Sequence, residues 1–218
     1  NTITNNKIHD NHNQGVWIGG STDNEISNNE IYNNATGVGL GEGGCDDECV
    51  GNINGNEITG NHIYDNEDED SGIHVDEGVS FSELTFSNNL IENNGDYGIY
   101  VYRVEDGTLT VSENEITGNS YGLYIDYIYN GTVTVEGNTL SDNNSEGIYV
   151  DEISEGIQEE EPGESVLSIT NNTISGNGEG GDERTGIYLE EVEEGTAVAI
   201  NLNAITGNGT GLYVDDVV

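Results

Sequence analysis

The sequence predicts an all-β solenoid, a three-sided coil of short strands wound about eight times. The first observation is a repeat. The unit N-x-I-x-x-N, a variable insert, then G-[ILV]-x-[VIL] recurs eight times in 218 residues. The second is alternation of apolar and polar residues beside each unit, the mark of a strand with one buried face. The third excludes helix: glycine numbers 32, alanine and lysine are scarce, and no 3.6-residue periodicity runs through the chain.

Each coil opens with a short alternating strand. The first five are Thr2-Ile3-Thr4, Glu25-Ile26-Ser27, Glu57-Ile58-Thr59, Leu84-Thr85-Phe86-Ser87 and Leu109-Thr110-Val111-Ser112. Val133-Thr134-Val135-Glu136, Leu167-Ser168-Ile169-Thr170 and Val198-Ala199-Ile200-Asn201 follow. A second strand surrounds the central apolar residue: Ile8, Ile31, Ile63, Ile91, Ile116, Leu140, Ile174 and Ile205. The third strand follows the glycine, as in Val16-Trp17-Ile18, Ile73-His74-Val75, Leu123-Tyr124-Ile125 and Leu212-Tyr213-Val214. Successive central residues lie between 23 (Ile8 to Ile31) and 34 (Leu140 to Ile174) apart. The variation falls outside the motif, so 41–51, 67–71, 152–165 and 179–185 are expected as loops at fixed corners.

Two columns of asparagine mark those corners without a break. One is Asn6, Asn29, Asn61, Asn89, Asn114, Asn138, Asn172 and Asn203; the other is Asn11, Asn34, Asn66, Asn94, Asn119, Asn143, Asn177 and Asn208. Asparagine tolerates the left-handed backbone region, and its amide pairs with backbone groups at a bend. Stacked at strand spacing of roughly 4.8 Å, the amides are expected to form an internal ladder that satisfies polar groups in a narrow core. The glycine before the third strand is expected to supply the other sharp corner.

Composition narrows the partners. Hydrophobic residues make up only 32%, and 43 acidic residues face three basic ones (Lys7, Arg103 and Arg184), a net charge of -40. Such a chain would read as disordered if its apolar residues did not recur at fixed positions. No basic patch can be built, so nucleic acid is excluded, and no apolar run reaches transmembrane length, so membrane insertion is not expected. Cations are the natural counterpart, as a halophile-type solvated surface or as bound calcium. Cys45 and Cys49, the only cysteines, are expected as a disulfide closing an acidic loop in an oxidising compartment. Because Asn1 already lies inside a repeat unit, residues 1–218 read as one elongated domain cut from something larger. Its open ends would meet neighbouring subunits or the rest of a longer chain.

The iterated N-x-I-x-x-N…G-I-Y-V unit resembles the right-handed parallel β-helix repeat family of the pectate-lyase-like superfamily. The resemblance covers essentially the whole chain. It is nearest to the Asn-rich repeat modules of prokaryotic surface proteins and of periplasmic copper-site maturation proteins. It implies a right-handed winding and an extracellular or cell-surface setting.

Three constellations carry possible chemistry. The middle residue of the third strand faces outward, giving a column of Trp17, Gly39, His74, Tyr100, Tyr124, Tyr149, Tyr188 and Tyr213. Its rings are expected either to cover the sheet or to meet glycan or protein. Just beyond lies a carboxylate column of Asp76, Asp126, Asp151, Glu190 and Asp215, the candidate calcium ligands. The enzymatic candidate is His74, Tyr100, Asp76 and Arg103, a set suited to proton abstraction beside a uronic acid. The family resemblance implies lyases and epimerases of that kind, but their clustered calcium aspartates are missing. A copper site would draw on His9 and His12. Sequons occur at Asn34, Asn130, Asn143, Asn171 and Asn208. Three of these belong to the ladder, leaving Asn130 and Asn171 for glycosylation. The function expected is therefore a non-catalytic structural or adhesive module, calcium-stabilised. The alternatives are a uronate lyase or epimerase and a glycan-binding module without turnover.

Overall fold

The alternation places one apolar side chain of every short strand inward, and the computed structural model shows where they meet. It describes residues 1–43, 51–66, 71–155, 164–178 and 184–217. Three parallel sheets of eight strands run the length of the molecule, each coil giving one strand to each sheet. The first runs from Thr2–Thr4 to Ala197–Asn201, the second from Lys7–His9 to Ala204–Thr206, the third from Val16–Gly19 to Thr210–Val214. Register is set by the repeat itself: Ile91 pairs with Ile116, and Ile116 with Leu140. No helix occurs among the described residues.

The core is a column of aliphatic side chains from all three sheets, closed from Ile26 to Ile187. It loosens at both ends, where Ile3 is 36% and Leu212 44% exposed. Beside it run the two asparagine ladders. The main-chain N–H and Nδ2 of Asn114 both donate to Oδ1 of Asn138 in the next coil, at 2.9 and 3.0 Å. Its Nδ2 also donates to the Phe86 carbonyl of the previous coil, at 3.0 Å. One side chain thus ties three coils, which is why a buried polar residue is tolerated in so thin a core.

Four expectations need correction. The left-handed residue at each corner is not the ladder asparagine but the one before it: Asn5, Asn28, Asn88 and Asn171 before one ladder, Asp10, Asn33, Asn93 and Asp142 before the other. The glycines before the third strand do not adopt positive φ either. They are needed for close approach: a Cβ on Gly122 would lie 2.4 Å from the Gly147 carbonyl and 3.0 Å from Asn143 Nδ2. The third strands are longer than the motif, as in Tyr97–Glu105, Tyr121–Tyr129, Ile148–Ser154 and Thr185–Val192. After a corner they bury Val104, Ile128 and Ile153, so the expected loop from residue 152 begins later. A third, shorter ladder joins Asn1 to Asn24 and Asn24 to Asn56, at 2.8 Å each. Cys45 and Cys49 lie outside the described residues.

Candidate functional site

The third sheet carries the side chains of interest because its parallel register stacks one outward position per coil. Trp17, Gly39, His74, Tyr100, Tyr124, Tyr149, Tyr188 and Tyr213 are consecutive neighbours across it. Tyr124 and Tyr149 stack with centroids 4.5 Å apart, while Tyr149–Tyr188 and Tyr188–Tyr213 meet edge to face at 5.0 Å. Such pairs stabilise the sheet by roughly 0.5–1.5 kcal/mol each. Tyr97 and Tyr121, at the start of the strands that carry Tyr100 and Tyr124, join the column from the side: Tyr97 lies 5.1 Å from Tyr124 and Tyr121 5.2 Å from it.

The carboxylates two residues on are placed by the same register, and most face a neighbouring ring. The Tyr100 hydroxyl donates to Asp126 Oδ2 at 2.6 Å, Tyr149 donates to Glu190, and His74 Nε2 lies 3.0 Å from Asp76 Oδ1. Tyr188 has Asp215 beside it. Burial pushes the Asp126 carboxyl above its ordinary value, with the Tyr100 hydroxyl and His74 pulling it back. Burial also raises Asp151, reinforced by the Asp126 charge. Burial, then the Asp126 carboxylate, holds the Tyr100 and Tyr124 phenols well above their usual range. The column is interrupted by Tyr102, which falls between the pairs Val101–Ile125 and Arg103–Tyr127. No three His, Cys, Asp or Glu side chains converge on a metal position among the described residues.

The enzymatic set is only partly assembled. His74 and Tyr100 are adjacent, ring centroids 4.7 Å apart, and Asp76 holds the imidazole from one side. Ser71, which sequence reasoning did not single out, lies 3.3 Å from His74 Nδ1, but it is fully buried and cannot reach a substrate. Arg103 stands in the column of Tyr127 and Glu152, past the corner. It pairs with Glu105 at 3.1 Å and lies over the Tyr102 ring.

Two further features went unread in the sequence. His9, Tyr32 and Tyr64 form a coplanar stack on the second sheet, at 4.7 and 4.9 Å. The repeat would have shown them as the residue after each central Ile. Burial and the Glu30 carboxylate push the Tyr64 phenol up to about 12. The second feature is a groove of about 530 Å³ at the later end of the third sheet, between Tyr121, Glu146, Tyr149 and Tyr188. Of the sequons, Asn34 and Asn143 are buried in the ladder, Asn130 is half-buried, and Asn171 is exposed and donates to Glu136 at 3.2 Å.

These features define a parallel β-helix repeat protein. The family model described as a right handed beta helix region matches residues 1–127. The one described as periplasmic copper-binding protein (NosD) matches residues 82–217. The chain belongs to the right-handed β-helix repeat family. No curated protein matches it. The described residues do not fit a copper centre: His9 pairs with Asp10 at 2.8 Å and stacks on Tyr32, and no third ligand joins it.

Proposed function

We propose that the chain is a non-catalytic β-helix module of the periplasm or extracellular space, whose third sheet is a contact surface for glycan. The observation that carries this reading is the unbroken run of rings from Tyr100 to Tyr213, half-buried as far as Tyr188, with the Tyr100 and Tyr149 hydroxyls held by carboxylates. Rings fixed in this way lose little further freedom on binding, which keeps the cost of association low. The description of the matched NosD family supports the location. With a net charge of -40, polyuronates are repelled, so the glycan class is neutral or basic. The same repulsion, with Arg103 turned to Glu105, disfavours uronate lyase or epimerase chemistry.

Affinity electrophoresis in gels holding neutral, basic or uronate polysaccharides tests this. Retardation in a neutral or basic gel is expected, abolished by Tyr124→Ala and unchanged by His74→Ala. Formation of an unsaturated uronide that His74→Ala eliminates would sink the non-catalytic reading. Calcium enters the proposal only as a general counter-ion, since Asp76, Asp126, Glu190 and Asp215 each already face a ring.

A further inference from the structure

The groove at the later end of the third sheet combines two features. Its rings are crossed: Tyr121–Tyr149, Tyr149–Tyr188 and Tyr188–Tyr213 lie at 77°, 81° and 73°. A sugar ring stacks on a coplanar shelf, whereas a cation gains from π faces offered in more than one direction. Second, a carboxylate is buried in its wall. Glu146 is only 7% exposed; burial raises its carboxyl, while its own amide, the Arg184 charge and the Thr185 amide pull it back.

The surroundings point the same way. Tyr149 donates to Glu190 and Tyr188 faces Asp215, so both phenols are polarised toward electron-rich rings. Arg184 is the single cation nearby, and its Nη1 donates to the Asn144 carbonyl at 2.6 Å. The groove therefore has aromatic faces, carboxylates behind them and a wall carboxylate, Glu146, that gains from an N–H donor.

We propose that this groove binds a primary ammonium group, held over the Tyr149 and Tyr188 faces with an N–H donor directed to Glu146. The inference deepens the reading of the third sheet as a recognition surface. An amino sugar of a basic glycan and a free aliphatic diamine share this chemistry.

Calorimetric titration of the chain with glucosamine, 1,4-diaminobutane, tetramethylammonium and glucose, in 1 M KCl, tests it. At that ionic strength the Debye length is about 3 Å, so association with the charged surface as a whole is screened out. Saturable one-site binding of an amine is expected, the tighter of the two amines identifying the source. Tyr188→Leu and Glu146→Gln should each weaken it about tenfold, while Tyr188→Phe, which keeps the ring, should not. Glucose binding as tightly as glucosamine, tetramethylammonium binding as tightly as the amines, or variants that bind like the parent would overturn the proposal, as would no saturable binding. Tyr213→Leu, at an exposed end position, serves if the Tyr188 variant does not fold. Loss of amine binding with retardation on glycan gels intact would remove this inference alone.

Discussion

At position 202 a leucine occupies a corner that six other coils give to asparagine or glycine (Asn5, Asn28, Gly60, Asn88, Gly137 and Asn171). Its φ is 58° and its side chain is 83% exposed. The left-handed region costs an ordinary residue about 1–2 kcal/mol through the clash of Cβ with the following carbonyl, and here no burial offsets it. Leu202→Asn is expected to stabilise the chain by about 0.5–1 kcal/mol. Leu202→Val, β-branched at the same φ, should destabilise it. Chemical denaturation of the two variants checks the pair, and equal midpoints would show that the corner is not strained.

The ladder belongs to the scale of the element, since each rung is defined by its neighbours. Asn119 accepts from the backbone N–H and Nδ2 of Asn94, at 2.9 and 3.1 Å, and donates to Asn143 Oδ1 at 3.1 and 3.2 Å. It is wholly buried, so Asn119→Ala strands donors on one side and an acceptor on the other. A loss of about 2–4 kcal/mol is expected, because several buried groups lose partners together. The end rung Asn11, which is exposed and donates to Asn34 on one side only, should cost far less on the same change. Thermal unfolding of Asn119→Ala and Asn11→Ala compares them; similar losses would mean the ladder does not couple coils.

For the molecule as a whole, charge sets the response to solution conditions. Asp126, Glu146, Asp151 and Glu193 all have carboxyls raised by burial. An acid whose folded pKa exceeds its unfolded value holds its proton more tightly when folded. Its contribution is complete below the ordinary values of 3.8 and 4.5 and is lost as pH rises through the folded pKa. Asp10 and Glu30 shift the other way but are exposed, where pairing with His9 and Lys7 is screened. Lowering pH from 7 to about 5 should therefore raise Tm, as should added KCl, both by relieving repulsion among the acidic side chains. Magnesium and calcium should act alike. A Tm that falls on acidification, or a saturable rise with calcium alone, would contradict this.

The repeat by itself determined the solenoid, the number of coils, the buried aliphatic columns and the outward column from Trp17 to Tyr213. Parallel stacking copies each sequence position onto its neighbour, so a period in sequence becomes a line in space. What the tertiary structure decided lies between positions that no period connects. Arg103 faces Glu105 where the inward–outward alternation of its strand breaks, with Tyr102 and Arg103 both half-buried. Asp126 and Glu190 meet tyrosines of the preceding coil. Glu146 enters the wall of an aromatic groove from outside the repeat. Ring orientation and carboxylate partnership depend on side-chain packing across coils, and the spacing of residues along the chain does not encode it.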